Sequence, residues 1–423
     1  MKKESPKGAT VRNNEPEHGG KLTLILFIIV LSLVVGFSSF FAGYIVREKQ
    51  LNKETRTVDW IITQIKQNYY EDFTSKEIID AAALGLESLL DQYSAYYSEE
   101  EYQAVKHANQ GYKLGIGVGM AISQDGKAVV DRVVMGSPAD ECGIVKGDIL
   151  LGVRVIETPS SEFALGNSTQ TFKTLLDQMP DNIPFELLTL RDGQERICTI
   201  TKEEYVQITT RYYTQAEIEF LPEHAAYIRF DTFTGNAVSE FNTAMERFKQ
   251  EGKTALILDL RGNGGGRVDY AQKIAAHLVK ANQGETPLMM EARYQQRTEE
   301  FYVAESTYME YGFTAIRVLC DENSASASEA LLGAMLDYGS ITLNDLYGTR
   351  TYGKGIMQTT FERFSKDDAI KLTTAKIHWP VSKTCIQGVG ITPENIAPLT
   401  LHGLSYTFTR DHALHLAVES LIP

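Results

Sequence analysis

The 423-residue sequence predicts an α/β domain preceded by a β-rich module and one apolar amino-terminal span. Three observations carry that expectation. Thr254 to Leu260 and Ala315 to Cys320 are continuous apolar runs of the kind buried on both faces of a parallel sheet, and each leads into a helical pattern. Between Gly111 and Lys202, short apolar runs alternate with glycine turns. Leu22 to Val46 is 25 residues without a charge, more than the roughly 20 needed to cross a bilayer core.

Composition narrows the function. Hydrophobic residues make up 43% and charged residues 23%, ordinary values for folded protein in a chain long enough for two or three cores. A formal charge of -14 with no basic patch argues against a nucleic-acid partner. Cys142, Cys198, Cys320 and Cys385 are widely spaced without C-x-x-C or zinc-ligand patterns, so free thiols or an occasional pair are expected. No metal or other cofactor is predicted.

In chain order, residues 1–21 are polar and expected to be a disordered cytoplasmic tail. Residues 22–46, flanked by Lys21 and Arg47, read as an uncleaved signal anchor, since the run exceeds a usual signal core and no clear A-x-A site follows. Residues 55–105 form a helical lead-in, with periodicity over Val58 to Tyr70 and Lys76 to Tyr93. Residues 106–204 make the β-rich module: Leu114 to Val118, a turn at Asp125-Gly126, Val129-Val130, Lys146 to Leu150, and a helix from Thr171 to Gln178.

Residues 205–398 hold the α/β domain. Ala226 to Phe230 predicts a strand, Ala237 to Gln250 an amphipathic helix, and Val268 to Val279 a helix after the loop Arg261-Gly262-Asn263-Gly264-Gly265-Gly266. That loop lacks G-x-x-x-x-G-K-[ST], and its third glycine falls too early for G-x-G-x-x-G, so it does not predict nucleotide binding. Residues 399–423 read as a helix-containing tail without assignable function.

The chemistry is concentrated between Cys320 and Gln358. Asn323-Ser324-Ala325-Ser326-Ala327-Ser328 places serines where a strand turns into a helix, beside N–H groups able to hold an oxyanion. Lys354 lies between two glycines, and no histidine lies between Ala315 and Gln358, which favours a lysine as partner base. Lysine serves that role only if burial lowers its pKa. The plain alternatives are a helix cap, since Ser326-x-x-Glu329 has capping-box spacing, and a turn lysine.

The combination N-S-A-S-A-S-E, then D-Y-G and T-Y-G-K-G-x-x-Q, resembles the carboxyl-terminal processing (tail-specific) serine protease family. The resemblance implies a crotonase-like protease core in which Ser326 is the nucleophile, Lys354 the base and Gln358 the residue that positions it. Asp259 to Gly265 resembles the family's D-L-R-x-N-P-G-G segment, with Gly264 in place of the proline. By that analogy Gly265 and Ala327 donate the oxyanion-hole N–H groups. Gly136-Ser137-Pro138-Ala139 through Gly147-Asp148-Ile149-Leu150 resembles a PDZ signature, which implies that Gly115, Ile116, Gly117 and Val118 form a carboxylate-binding loop, although not the usual G-L-G-F.

Asp91 to Tyr97 resembles the D-P-Y-S-x-Y segment, with Gln92 replacing proline. Lys371 to Lys376 and Gln387 to Pro393 resemble the closing segments, and Ser340 to Gly348 is a few residues longer than the family pattern. The resemblance covers roughly Val58 to Pro398. It implies a single-pass, membrane-anchored endopeptidase working outside the cytoplasm of a bacterium on proteins with free, apolar carboxyl termini. Self-association is left open. The alternatives are an envelope scaffold with a degenerate protease domain and, more weakly, a crotonase-type acyl enzyme.

Overall fold

The computed structural model describes residues 55–123, 125–156, 162–166, 168–363, 368–401 and 404–422. The expected tail at 1–21 and the expected span at 22–46 lie outside the described residues. Among those described, no helix is long and apolar enough to cross a membrane. The chain divides after Gly85 into two compact units.

In the first unit, residues 55–68 are helical, and a second helix begins at Ser75. Its start is set by Thr74, whose N–H and hydroxyl both donate to Glu77 Oε2. The helix stops at Glu87, short of the Tyr93 that the periodicity predicts. The competing signal is local. Asp91 Oδ1 accepts from Tyr93 N–H and Ser94 Oγ, a turn that diverts the chain into the strand Ala95–Tyr97. That strand and a further helix, Glu99–Asn109, capped by Ser98 and Glu101, belong to the second unit.

The second unit is built on a six-stranded sheet. Thr210–Tyr213 pairs antiparallel with Ala225–Phe230; Ala255–Asp259, Ala315–Cys320, Leu346–Gly348 and Asn395–Ile396 then follow in parallel. Every residue of Ala255–Asp259 is buried. Leu256 and Leu258 enter a core with the helices Ala237–Gln250, Val268–Leu278 and Ala327–Asp337, whereas Ala255 and Ile257 enter a second core on the opposite face. The two-residue period of a strand produces that division.

The extra residues before Lys354 fold into a short turn, Leu343–Asp345, tied to Arg317 through Asp345. A second sheet joins Ala95–Tyr97, Ala369–His378, Leu288–Arg293 and Thr298–Tyr302, with Ile356–Glu362 also on Ala369–His378. The β-rich module has its own sheet, from Val118–Ile122 to Gln194–Thr201, and its own core around Phe172, Phe185 and Leu187. The run Leu114 to Val118 is shared between two strands. Tyr112–Gly115 pairs with Glu203–Val206 and Val118–Ile122 pairs with Ala128–Val133, because Gly115 and Gly117 turn the chain at φ 135° and 82°.

The segment after Pro398 covers the second face of the central sheet. Ala413, Leu414 and Ala417 of the helix His412–Glu419 pack on Tyr227, Ile257 and Leu319. Arg261, at the end of the central strand, forks between Asp259 and the fully buried Asp411. Ser405 and Arg410 reach Asp148 and Asp192 of the β-rich module. Removing one partner of a buried pair leaves the other charge unpaired. Asp411→Ala is therefore expected to cost about 3–5 kcal/mol in denaturant unfolding; a loss below about 1 kcal/mol would show that Arg261 finds water or another acceptor.

Candidate active site

Three serines stand in the turn between strand and helix, and their surroundings separate them. Ser324 and Ser328 are fully buried and donate their hydroxyls to Leu260 O at 2.8 Å and Asn263 O at 3.0 Å. Ser326 is half-buried and lines a recess of about 480 Å³. Its backbone is at φ 59°, ψ −112°, a sparsely populated conformation that costs an L-residue about 1–3 kcal/mol. The strain turns Ser326 out of the packed segment at the start of a helix buried on nearly every side.

Glu329, one turn into that helix, is fully buried, and its carboxylate gathers both halves of the site. Oε2 accepts from the N–H groups of Ser326 at 2.9 Å and Lys354 at 2.8 Å. Oε1 accepts from Gly353 N–H at 2.7 Å and Thr351 Oγ1 at 2.6 Å. The capping-box reading is correct as far as it goes. The same carboxylate also fixes the backbone of the lysine segment, 25 residues away.

The glycines around Lys354 have a steric cause. A Cβ on Gly353 would lie 2.8 Å from Gly390 N, and one on Gly355 would lie 2.7 Å from Gln387 N. Gly388 N–H donates to Gly353 O, and Gly355 N–H donates to Gln387 Oε1. The Tyr-Gly-Lys-Gly and Gln-Gly-Val-Gly motifs are thus two sides of one close backbone contact.

Ser326, Lys354, Gln358 and Gly265 all line the recess. Burial, seconded by the charge of Lys371, lowers the Lys354 pKa from its usual value against the pull of Asp91 and Glu329. The details differ from expectation at two positions. Gln358 Nε2 donates to Thr373 Oγ1 at 3.3 Å, where a bulge at Met357–Gln358 turns it along the neighbouring strand. Gly265 packs against the serine turn, since a Cβ there would come 2.8 Å from Ala327 N, yet its own N–H donates to Asn263 Oδ1 at 2.9 Å. Ala327 N–H belongs to the first helical turn, which the helix itself leaves without a partner.

A larger cleft of about 1560 Å³ is lined by Gly115, Ile116, Gly117 and Val118, with Arg132, Gly262, Gly264 and Lys354 along its length. Ile116 O accepts from Ala139 N–H and Gly117 O from Val134 N–H, which fixes the loop. Arg132 Nη1 donates to Gly262 O at 3.2 Å, from the β-rich module to the glycine loop beside the serine turn. Among the described residues, no group of His, Cys, Asp and Glu is placed to hold a metal. The sequence does not show the wider role of Glu329, the acceptor Asn263 or the contact of Arg132. The only available signal was the capping spacing of Glu329.

A strained serine at a helix start, a lysine of lowered pKa in the same recess and a glycine loop against the serine turn suit a serine-type peptidase. The comparisons agree. Residues 224–396 match the model of peptidase family S41. A "Probable CtpA-like serine protease" of Staphylococcus epidermidis is 27% identical over 383 residues, covering 88% of this chain and 72% of the relative. One of Staphylococcus aureus is 26% identical over 380 residues, covering 88% and 68%.

Among solved structures, the photosystem II D1 C-terminal processing protease aligns at TM-score 0.51 and 19% identity over 85% of this chain and 92% of its own. A putative S41 protease from Bacteroides fragilis aligns at 0.54 and 15%, over 86% and 96%. These two show the shared mixed α/β fold. Residues 224–396 thus carry the peptidase family S41 pattern, and the chain is similar to serine proteases of the C-terminal processing type.

Glu329→Gln tests the shared carboxylate, because an amide nitrogen cannot accept the N–H groups that now point at it. Leaving even one or two such donors unpaired costs about 1–3 kcal/mol each, so kcat should fall about 10²-fold or more. Unchanged kcat would show that the four contacts do not hold the site.

Proposed function

We propose that this chain is an endopeptidase that uses Ser326 and Lys354 as a catalytic dyad and selects proteins by their free carboxyl termini. The observation that carries the reading is the shared recess of Ser326, Lys354, Gln358 and Gly265, with the Ser326 and Lys354 backbones held on one buried carboxylate.

Neutral Lys354 takes the Ser326 hydroxyl proton as Oγ bonds to the scissile carbonyl carbon. The oxyanion is received by Ala327 N–H and by Gly265 N–H, the latter releasing Asn263 Oδ1. Lys354 then gives the proton to the leaving amine as the peptide C–N bond breaks, and water resolves the acyl-enzyme by the reverse proton path. Gln358 would leave Thr373 to bond the amine. The β-rich module acts as a PDZ-like domain whose Gly115-to-Val118 loop takes the substrate carboxylate on backbone N–H groups, and the cleft toward Lys354 gives the tail a path. We assign residues 22–46 to a signal anchor and the protease to the extracytoplasmic side of a bacterial membrane.

The full-length chain and Ser326→Ala are to be incubated with an unstructured protein ending in an apolar free carboxylate, and with its carboxyl-amidated form. Cleavage by the wild type, faster for the free carboxylate and reduced at least about 10⁴-fold by Ser326→Ala, is the expected result. Binding without cleavage by either protein would instead favour a scaffold.

The pH dependence follows from the lysine. The base must be neutral, so kcat/KM should rise with pH through a midpoint below the usual 10.5. A profile flat from acid to strongly alkaline pH would remove Lys354 from that role.

A further inference from the structure

Lys354 does not rest on Ser326. Its Nζ lies 4.7 Å from the centroid of the Tyr93 ring. Among the described residues, no hydrogen bond joins Nζ to Ser326 or Gln358. Tyr93 reaches this place through the turn at Asp91 and the strand Ala95–Tyr97, which pairs with Ala369–His378. Ser94 Oγ accepts from Thr373 N–H and fixes the turn to that strand. The Tyr93 hydroxyl meets the Tyr352 hydroxyl at 2.9 Å, two residues before the lysine. The ring is therefore held from both ends.

Resting on the dyad reading above, we propose that Tyr93 is a positioning residue that holds the protonated Lys354 side chain away from Ser326 and releases it when the amine becomes neutral. An aromatic face attracts an ammonium through its quadrupole and has no such attraction for a neutral amine. The proton that keeps lysine from acting as a base is also what draws it to Tyr93. Loss of that proton frees Nζ to accept from Ser326 Oγ.

Other groups face the same amine. Asp91 and Glu329 favour its charge and Lys371 opposes it, while Lys113, Arg132 and Asp231 line the recess. The Tyr93 face adds to the first pair, so its removal should lower the proton affinity of Lys354.

The test compares Tyr93→Leu with Tyr93→Phe in the full-length protein. Leucine keeps an apolar neighbour and loses the π face; phenylalanine keeps the face and loses only the hydroxyl contact. Lys354 titration is read directly by NMR after ¹³C reductive methylation, assigned with Lys354→Met, and beside it the acid limb of kcat/KM.

The expected result for Tyr93→Leu is a downward shift of both by about 0.4–1.5 pH units, with Tyr93→Phe close to wild type. Equal titration in both variants, shifted or not, would overturn the proposal. Should Ser326→Ala retain activity, the dyad reading fails, and the NMR titration still reports whether the Tyr93 face sets the charge of Lys354.

Discussion

The buried carboxylate of Glu329 is the interaction on which the site depends. The proposed dyad requires Ser326 and Lys354 to be held to within fractions of an ångström, yet they come from a helix start and a glycine-flanked segment 28 residues apart in sequence. One side chain with no exposed surface accepts N–H groups from both. With Thr351 and Gly353 also bonded, the carboxylate has a partner in every direction, as an ion this deeply buried requires. The helix that carries it is packed all round, so the carboxylate has little freedom to shift.

Rigidity at the backbone contrasts with latitude at the side chains. Ser326, Lys354, Gln358 and Gly265 share a recess, while the polar groups of the last three are engaged elsewhere: Lys354 by Tyr93, Gln358 by Thr373 and Gly265 by Asn263. In the proposed mechanism each of these partners is exchanged for a catalytic one. The costly part of organising the site, fixing the main chain, is already done in this structure. What remains is the sort of rearrangement that a bound substrate can drive.

Much of this was legible in the sequence, for physical reasons that can be named. The central strands could be read because burial on two faces demands continuous apolar runs, and the helices Ala237–Gln250 and Ala327–Asp337 because they begin just after turn signals. Glycines at 353, 355, 388 and 390 stand in two separate motifs, and nothing local reveals that the two pairs approach one another. The strand Ala95–Tyr97 was hidden because its pairing partner lies more than 270 residues away. Glu329 read only as a cap, since three of its four donors are non-local. The tail likewise gave no local sign that Asp411 would meet Arg261.

The measurement that bears most directly on this account is covalent labelling of the protein by a fluorophosphonate, mapped by mass spectrometry, with wild type and Lys354→Ala side by side. The turn offers three serines, of which Ser324 and Ser328 are fully buried with their hydroxyls donated to carbonyls. One adduct is expected, on Ser326, forming at least about 10²-fold faster in the wild type than in Lys354→Ala. An adduct on Ser324 or Ser328, or labelling of Ser326 at the same rate without the lysine, would contradict it.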